Sequence, residues 1–219
     1  MPLRAFGSAV ALTVVCAVTS LVVPWSRADT VGGEEAVQPR EHFKINRPGE
    51  LTKDDANIDY NSIIDGMARS YVASGDRTAA RYRGWRRFND APYLSDNHGN
   101  RYVNNYANAI ADEAGYGQLK PGIKMPPGAI IAKDSFTYTK DNKLFPGALF
   151  VMEKLAEGTS PKTADWRYVM ILPDGSIFGD TNADSTERMD FCHECHERVA
   201  EFDYLFFVPA EYRPPLPVK

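Results

Sequence analysis

Residues 126–139 read Pro-Pro-Gly-Ala-Ile-Ile-Ala-Lys-Asp-Ser-Phe-Thr-Tyr-Thr. Pro126-Pro127-Gly128 is a turn. The stretch Ala129 to Thr139 that follows has the β-branched and aromatic content of a strand. Asp141-Asn142 reverses the chain, and Ala148 to Leu155 returns as a second strand. Trp166 to Leu172 is a third, and Pro173-Asp174-Gly175-Ser176 turns it into Ile177-Phe178. Connections this short join antiparallel neighbours. The expectation is an α+β domain whose antiparallel sheet does most of the packing.

Working outward, helices flank the strands. Ile63, Ile64, Met67, Tyr71 and Val72 recur at helical spacing and predict a helix over Tyr60 to Trp85, broken near Ser74-Gly75-Asp76. Tyr102, Tyr106 and Ile110 share one stripe and predict a second helix over Tyr102 to Glu113, closed by Gly115 and Gly117. Near the other end a short helix is expected over Cys192 to Val199, then a closing strand over Tyr204 to Val208.

The beginning of the chain is of another kind. Arg4 precedes the apolar run Ala9 to Val23, and Ser26-Arg27-Ala28 offers small residues where a signal peptidase reads them. The run is short for a membrane span and Pro24 interrupts it, so cleavage after Ala28 is expected, leaving no membrane attachment. Asp29 to Ile58 is polar, rich in Gly, Glu and Pro, and without period. The division is therefore a signal peptide at 1–28, a polar arm at 29–58 and a folded domain at 59–219. The net charge of −4 comes from interspersed acids and bases, which lacks the basic footprint of a nucleic-acid binder.

Of three cysteines, Cys16 leaves with the signal peptide, and Cys192 and Cys195 remain in Cys192-His193-Glu194-Cys195-His196. This is the Cys-x-x-Cys-His pattern of covalent haem attachment. Two intervening residues let both sulfurs reach the vinyl groups on one porphyrin edge, and the adjacent His196 projects towards iron. One haem c per chain is expected. A redox dithiol would want a thioredoxin-like βαβ context, which is missing here. A zinc site would need two more ligands, and His193 and His196 lie too close in sequence to close it without strain. For the sixth iron position the sequence offers His42, His98, Met125, Met152, Met170 and Met189. The histidines read as solvated loop residues and most of the methionines as core, so an open distal face is the expectation.

On these residues the chain resembles the cytochrome P-460 and cytochrome c′-beta family, from about Tyr82 to Tyr212. The landmarks are Tyr82-Arg83-Gly84-Trp85, Arg101-Tyr102-Val103-Asn104, residues 127–133, residues 147–153, Asp165-Trp166-Arg167-Tyr168, the haem motif, and Asp203-Tyr204-Leu205-Phe206. The resemblance implies an antiparallel β domain of the cytochrome P-460 type, a homodimer, and a five-coordinate c-type haem in the periplasm. One branch of that family oxidises hydroxylamine to nitrous oxide and carries a lysine cross-linked to a haem meso carbon. The other lacks the link and binds nitric oxide behind an apolar cap.

Lys133 matches the cross-linking lysine and Glu153 the carboxylate that moves protons. A hairpin register centred near Lys143, with a bulge at Pro146-Gly147, would set the two opposite each other on one face. A solvated Lys133, a charged strand end at Glu153-Lys154, and a plain Lys133–Glu153 ion pair are alternatives. Three functions fit this reading: oxidation of hydroxylamine or a related small nitrogen compound, with Glu153 catalytic and an electron acceptor as partner; capture of nitric oxide without turnover; and simple electron transfer through a six-coordinate iron.

Overall fold

Turn chemistry and alternation give the sheet its order. In the computed structural model, which describes residues 44–183 and 186–215, the strands are β1 (Arg86–Arg87), β2 (Tyr93–Ser95), β3 (Arg101–Ala107), β4 (Ile130–Tyr138), β5 (Leu144–Pro146), β6 (Leu149–Lys154), β7 (Trp166–Ile171) and β8 (Ile177–Asp180). They form one antiparallel sheet in the order β1-β3-β4-β6-β7-β8, with β2 on β3 and β5 on β4. This is the expected α+β architecture. The signal-peptide segment, Cys16, His42 and the first half of the arm lie outside the described residues.

Each face of the sheet is covered by different chain. Helix α1 (Lys53–Val72) is capped by Thr52, whose hydroxyl accepts from the Asp55 amide, and its first turn holds Asp54 and Asp55 near the positive end of the helix dipole. Ala56, Tyr60, Ile64, Met67 and Tyr71 fall every third or fourth position and are buried on one face of the sheet. Burying each of the larger ones contributes about 1.5–3 kcal/mol. The helix starts inside the segment read as arm. The arm's described residues are tied down as well: Ile45 donates to Gly99, Gly49 to Tyr138, and the Leu51 amide to the Tyr102 hydroxyl.

The opposite face is covered by helix α2 (Ala109–Glu113), helix α3 (Asp190–His196) and the segment after α3. Alternation along β4 divides its side chains: Ile131, Lys133 and Ser135 face α3, whereas Ala132, Asp134 and Phe136 face α1. On the α1 side Asp134 is sealed in a phenol shell. Its carboxylate accepts from Tyr60 at 2.6 Å, Tyr82 at 3.2 Å and Asn104 at 3.0 Å.

Three expected elements are corrected. The helix expected as far as Trp85 ends at Val72, and only a 3-10 turn at Tyr82–Gly84 follows before β1. Residues 101–107 are strand β3, with helix only at Ala109–Glu113. A spacing of four, as between Tyr102 and Tyr106, shares a face in a strand as it does in a helix. Val103, Asn104 and Asn105 between them favour the extended form once both sheet faces are covered, and every residue of β3 is buried. Residues 204–208 form no strand, because Asp203 and Tyr204 stand at φ 54 and 65.

Candidate functional site

Helix α3 carries the motif. Cys192 and Cys195 are three apart and Cys192 and His196 four apart, so thiols and imidazole project from one face. Both thiols are unpaired. Burial pushes the Cys192 thiol up, with Cys195 adding to it, as expected of a sulfur aimed into an apolar space. His196 Nδ1 lies 2.6 Å from the Tyr204 carbonyl oxygen. That oxygen only accepts, so a proton sits on Nδ1, which leaves Nε2 as the ring nitrogen suited to a metal.

The Tyr204 carbonyl is itself held. Asp203, buried beside it, accepts from Lys154 Nζ at 2.9 Å and from the Met125 amide at 2.8 Å, while its own carbonyl accepts from the Trp166 indole at 3.0 Å. Lys154 also lies over the Trp166 ring, 4.8 Å from its centroid. The left-handed kink at 203–204 is thus fixed by two strands of the sheet.

In front of α3 is a partly open, largely apolar cavity, lined by Ile131, Lys133, Phe150, Met152, Tyr168, Met189, Cys192, His196 and His98. A second, more polar opening beside it shares His98, Lys133 and His196 and adds Cys195, Ser95 and Phe206. Two thiols, an imidazole held by its Nδ1 and an apolar chamber before them fit a covalently bound haem.

Lys133 lines both openings and is only 7% exposed. Burial pulls its ammonium down to about 8, partly offset by the neighbouring Cys195 sulfur. Lys133, expected from the sequence at this site, thus lies beside the haem motif.

Glu153 does not join it, which corrects the expected register. The bulge is present, but it advances the chain by three positions along β4 against four along β6: Phe136 faces Pro146 before it and Lys133 faces Phe150 after it. Glu153 then lies opposite Ile130 on the α1 side, where it accepts from Arg167 at 2.9 Å. Arg167 also binds Asp180 at 2.6 Å and Asp76 at 3.1 Å. It is Lys154, one residue on, that turns to the haem-motif side.

Of the residues weighed for the sixth iron position, Met152 and Met189 line the cavity, while Met125 and Met170 are buried in the core. His98 corrects the solvated-loop reading: it is 7% exposed and lines the cavity. Its only sequence signal was to be one of two histidines outside the motif.

Residues 79–207, more than half of the chain, match the family model Cytochrome P460, a span that holds the whole sheet, Lys133 and the haem motif. Comparison with curated proteins gives no match. On this match, and on a site that fits the cofactor, the chain is a haem-binding protein that belongs to the cytochrome P460 family.

Proposed function

We propose that this is an exported, periplasmic protein with one haem c bonded through thioethers to Cys192 and Cys195 and held axially by His196. We propose further that it works as a homodimer and oxidises hydroxylamine or a related small nitrogen compound. The reading rests on one observation above all: Lys133 and His196 line the same cavity. When bound, the haem supplies an iron that takes electrons from the substrate nitrogen and hands them to a partner protein.

The chain's own residues account for the rest. The Tyr204 carbonyl orients His196 and raises its basicity as a ligand. Ile131, Phe150 and Met152 keep water away from the opposite side. Lys133 holds its amine at the wall of the same cavity, where burial favours the neutral form; a bond from that nitrogen to a haem meso carbon would replace one N–H and the meso C–H and pass two electrons to a peroxide-level oxidant.

A second reading, capture of nitric oxide without turnover, is favoured by the position of Glu153. Among the described residues this cavity is lined by no carboxylate, and an apolar chamber suits a neutral diatomic ligand.

The test is to mature the full chain in a host that attaches c-type haem, then to record intact mass, oxidised and reduced spectra, and nitrous oxide formed from hydroxylamine. A mass increase of one haem, a strongly red-shifted reduced Soret band that Lys133→Ala abolishes, and turnover are the expected results. An ordinary high-spin ferrous spectrum, unchanged in Lys133→Ala and without turnover, would transfer the assignment to nitric oxide capture. A low-spin resting iron would overturn both in favour of electron transfer.

A further inference from the structure

Tyr60 from α1, Tyr82 from the 3-10 turn before β1 and Tyr106 from β3 gather round Asp134, and all four residues are buried. The Tyr60 hydroxyl stands 2.6 Å from Asp134 Oδ2 and 2.6 Å from the Tyr106 hydroxyl. A carboxylate only accepts, so the Tyr60 proton goes to Asp134 and Tyr106 must donate to the Tyr60 oxygen. Donation therefore runs from Tyr106 to Tyr60 to Asp134.

Burial, with the Asp134 charge adding to it, raises the Tyr60 phenol far above its ordinary range, so it does not release a proton by itself. Removing an electron from the ring reverses this. An oxidised phenol is a strong acid, and a base already stands at hydrogen-bond distance to take its proton. Asp134, raised by burial to about 6, is charged at neutral pH yet more basic than an exposed carboxyl. The radical oxygen left on Tyr60 would keep the hydrogen bond from Tyr106. Tyr71 makes the contrast: its hydroxyl donates to the Gly147 carbonyl, which is no base. The cluster also adjoins the haem-motif cavity. Val151 and Val169 line that cavity and belong to the core that buries the tyrosines, so one layer of sheet separates the two.

We propose that Tyr60 is a redox-active tyrosine, which gives one electron to the haem while its proton passes to Asp134. The oxidant is hydrogen peroxide, which takes one electron from the ferric haem and one from Tyr60. One peroxide oxygen leaves as water with both peroxide protons, and the other stays with the haem. The phenol O–H bond breaks and Asp134 gains the proton. An oxidising equivalent is thereby moved from the reactive cavity to a sealed site, which spares the haem and the side chains around it. The proposal rests on the haem reading above.

The test is electron paramagnetic resonance on the ferric, haem-loaded full chain, frozen rapidly after mixing with equimolar hydrogen peroxide, with loading established first by intact mass. A tyrosyl signal that narrows when the chain carries ring-deuterated tyrosine is the expected result. It should be absent in Tyr60→Phe, where repeated peroxide should also bleach the haem sooner, and unchanged in Tyr71→Phe. In Asp134→Asn, which keeps the shape but not the base, it should form at least about a hundredfold more slowly, the low end of what a positioned base contributes. That variant carries the test if Tyr60→Phe does not accumulate. A loaded chain without a tyrosyl signal would overturn this inference and leave the haem reading standing. So would the same signal in Tyr60→Phe, or an unchanged rate in Asp134→Asn. A chain without haem mass would instead overturn the haem reading itself, and this inference with it.

Discussion

His196 donates through Nδ1 to the Tyr204 carbonyl at 2.6 Å, and that carbonyl belongs to a residue at φ 65. A bulky residue in the left-handed region costs roughly 1–3 kcal/mol and persists only where its surroundings over-determine it. Here the surroundings are Asp203 and its partners, among them Lys154, Met125 and Trp166. The imidazole of the haem motif is thus aimed by β6 and β7 through a strained hinge, and not by α3 alone.

Asp203→Ala should therefore lose about 3 kcal/mol or more, because it leaves the ammonium of Lys154 buried without its partner. Urea denaturation would read the loss. Asp203→Asn, which keeps an acceptor for the Met125 amide, should lose less. An unchanged midpoint in both would mean that the hinge holds without this carboxylate.

Glu153→Gln separates the two faces of β6. Since Glu153 bonds Arg167 on the α1 side, hydroxylamine turnover and ligand binding should be unchanged in the variant. Stability should fall by about 1 kcal/mol, the ordinary worth of a partly exposed ion pair discounted for solvent. A tenfold loss of turnover with stability intact would place Glu153 on the wrong face here.

Asp134 makes a claim about pH. Burial raises its carboxyl to about 6, despite hydrogen bonds from Tyr60, Asn104 and Tyr82 that pull the other way. A raised carboxyl pKa means that the folded state binds the proton more tightly than the unfolded chain does. Its contribution is then full below about pH 4 and is lost as pH rises towards 6. Asp134→Asn should remove this downward component from the stability profile between pH 4 and 6, measured by denaturant unfolding. A profile with the same slope in both proteins would assign the titration elsewhere.

Gly147 is required by proximity. A Cβ there would stand 2.7 Å from the Ser135 carbonyl oxygen, which accepts from the Gly147 amide at 2.8 Å. Gly147→Ala should cost about 2 kcal/mol through overpacking at the bulge. Because the bulge sets the register of Lys133 against Phe150, the variant should also disturb the reduced haem spectrum. A fully stable variant with a native spectrum would show that β4 and β6 can separate without consequence.

The parts legible in the sequence are those decided locally. The haem motif is complete within five consecutive residues, and β4, β6 and β7 carry their own alternation and turns. Residues Tyr102 to Ala107 misled because a spacing of four suits both periods, and only a sheet neighbour on each side decides between them. Tyr204 to Val208 has the composition of a strand, but its conformation is imposed from afar by Lys154 and Trp166. The Lys133–Glu153 pairing failed over one residue in a bulge, since a slip of one turns a side chain through the sheet. His98 was hidden because burial of a turn residue depends on what the turn folds against.

The sheet also works as a partition. Neighbouring residues on one strand, Lys133 and Asp134, open into separate chambers: one with the haem motif, the other with tyrosines and α1. Substitutions at Ile131, Phe150 or Met152 can reshape the chamber before the haem motif while the tyrosine side stays sealed. A single deletion in the β4–β6 connection would exchange the contents of the two. Such a chain can change its ligand gradually, by point substitution, but it has almost no tolerance for a change of length where the bulge sits.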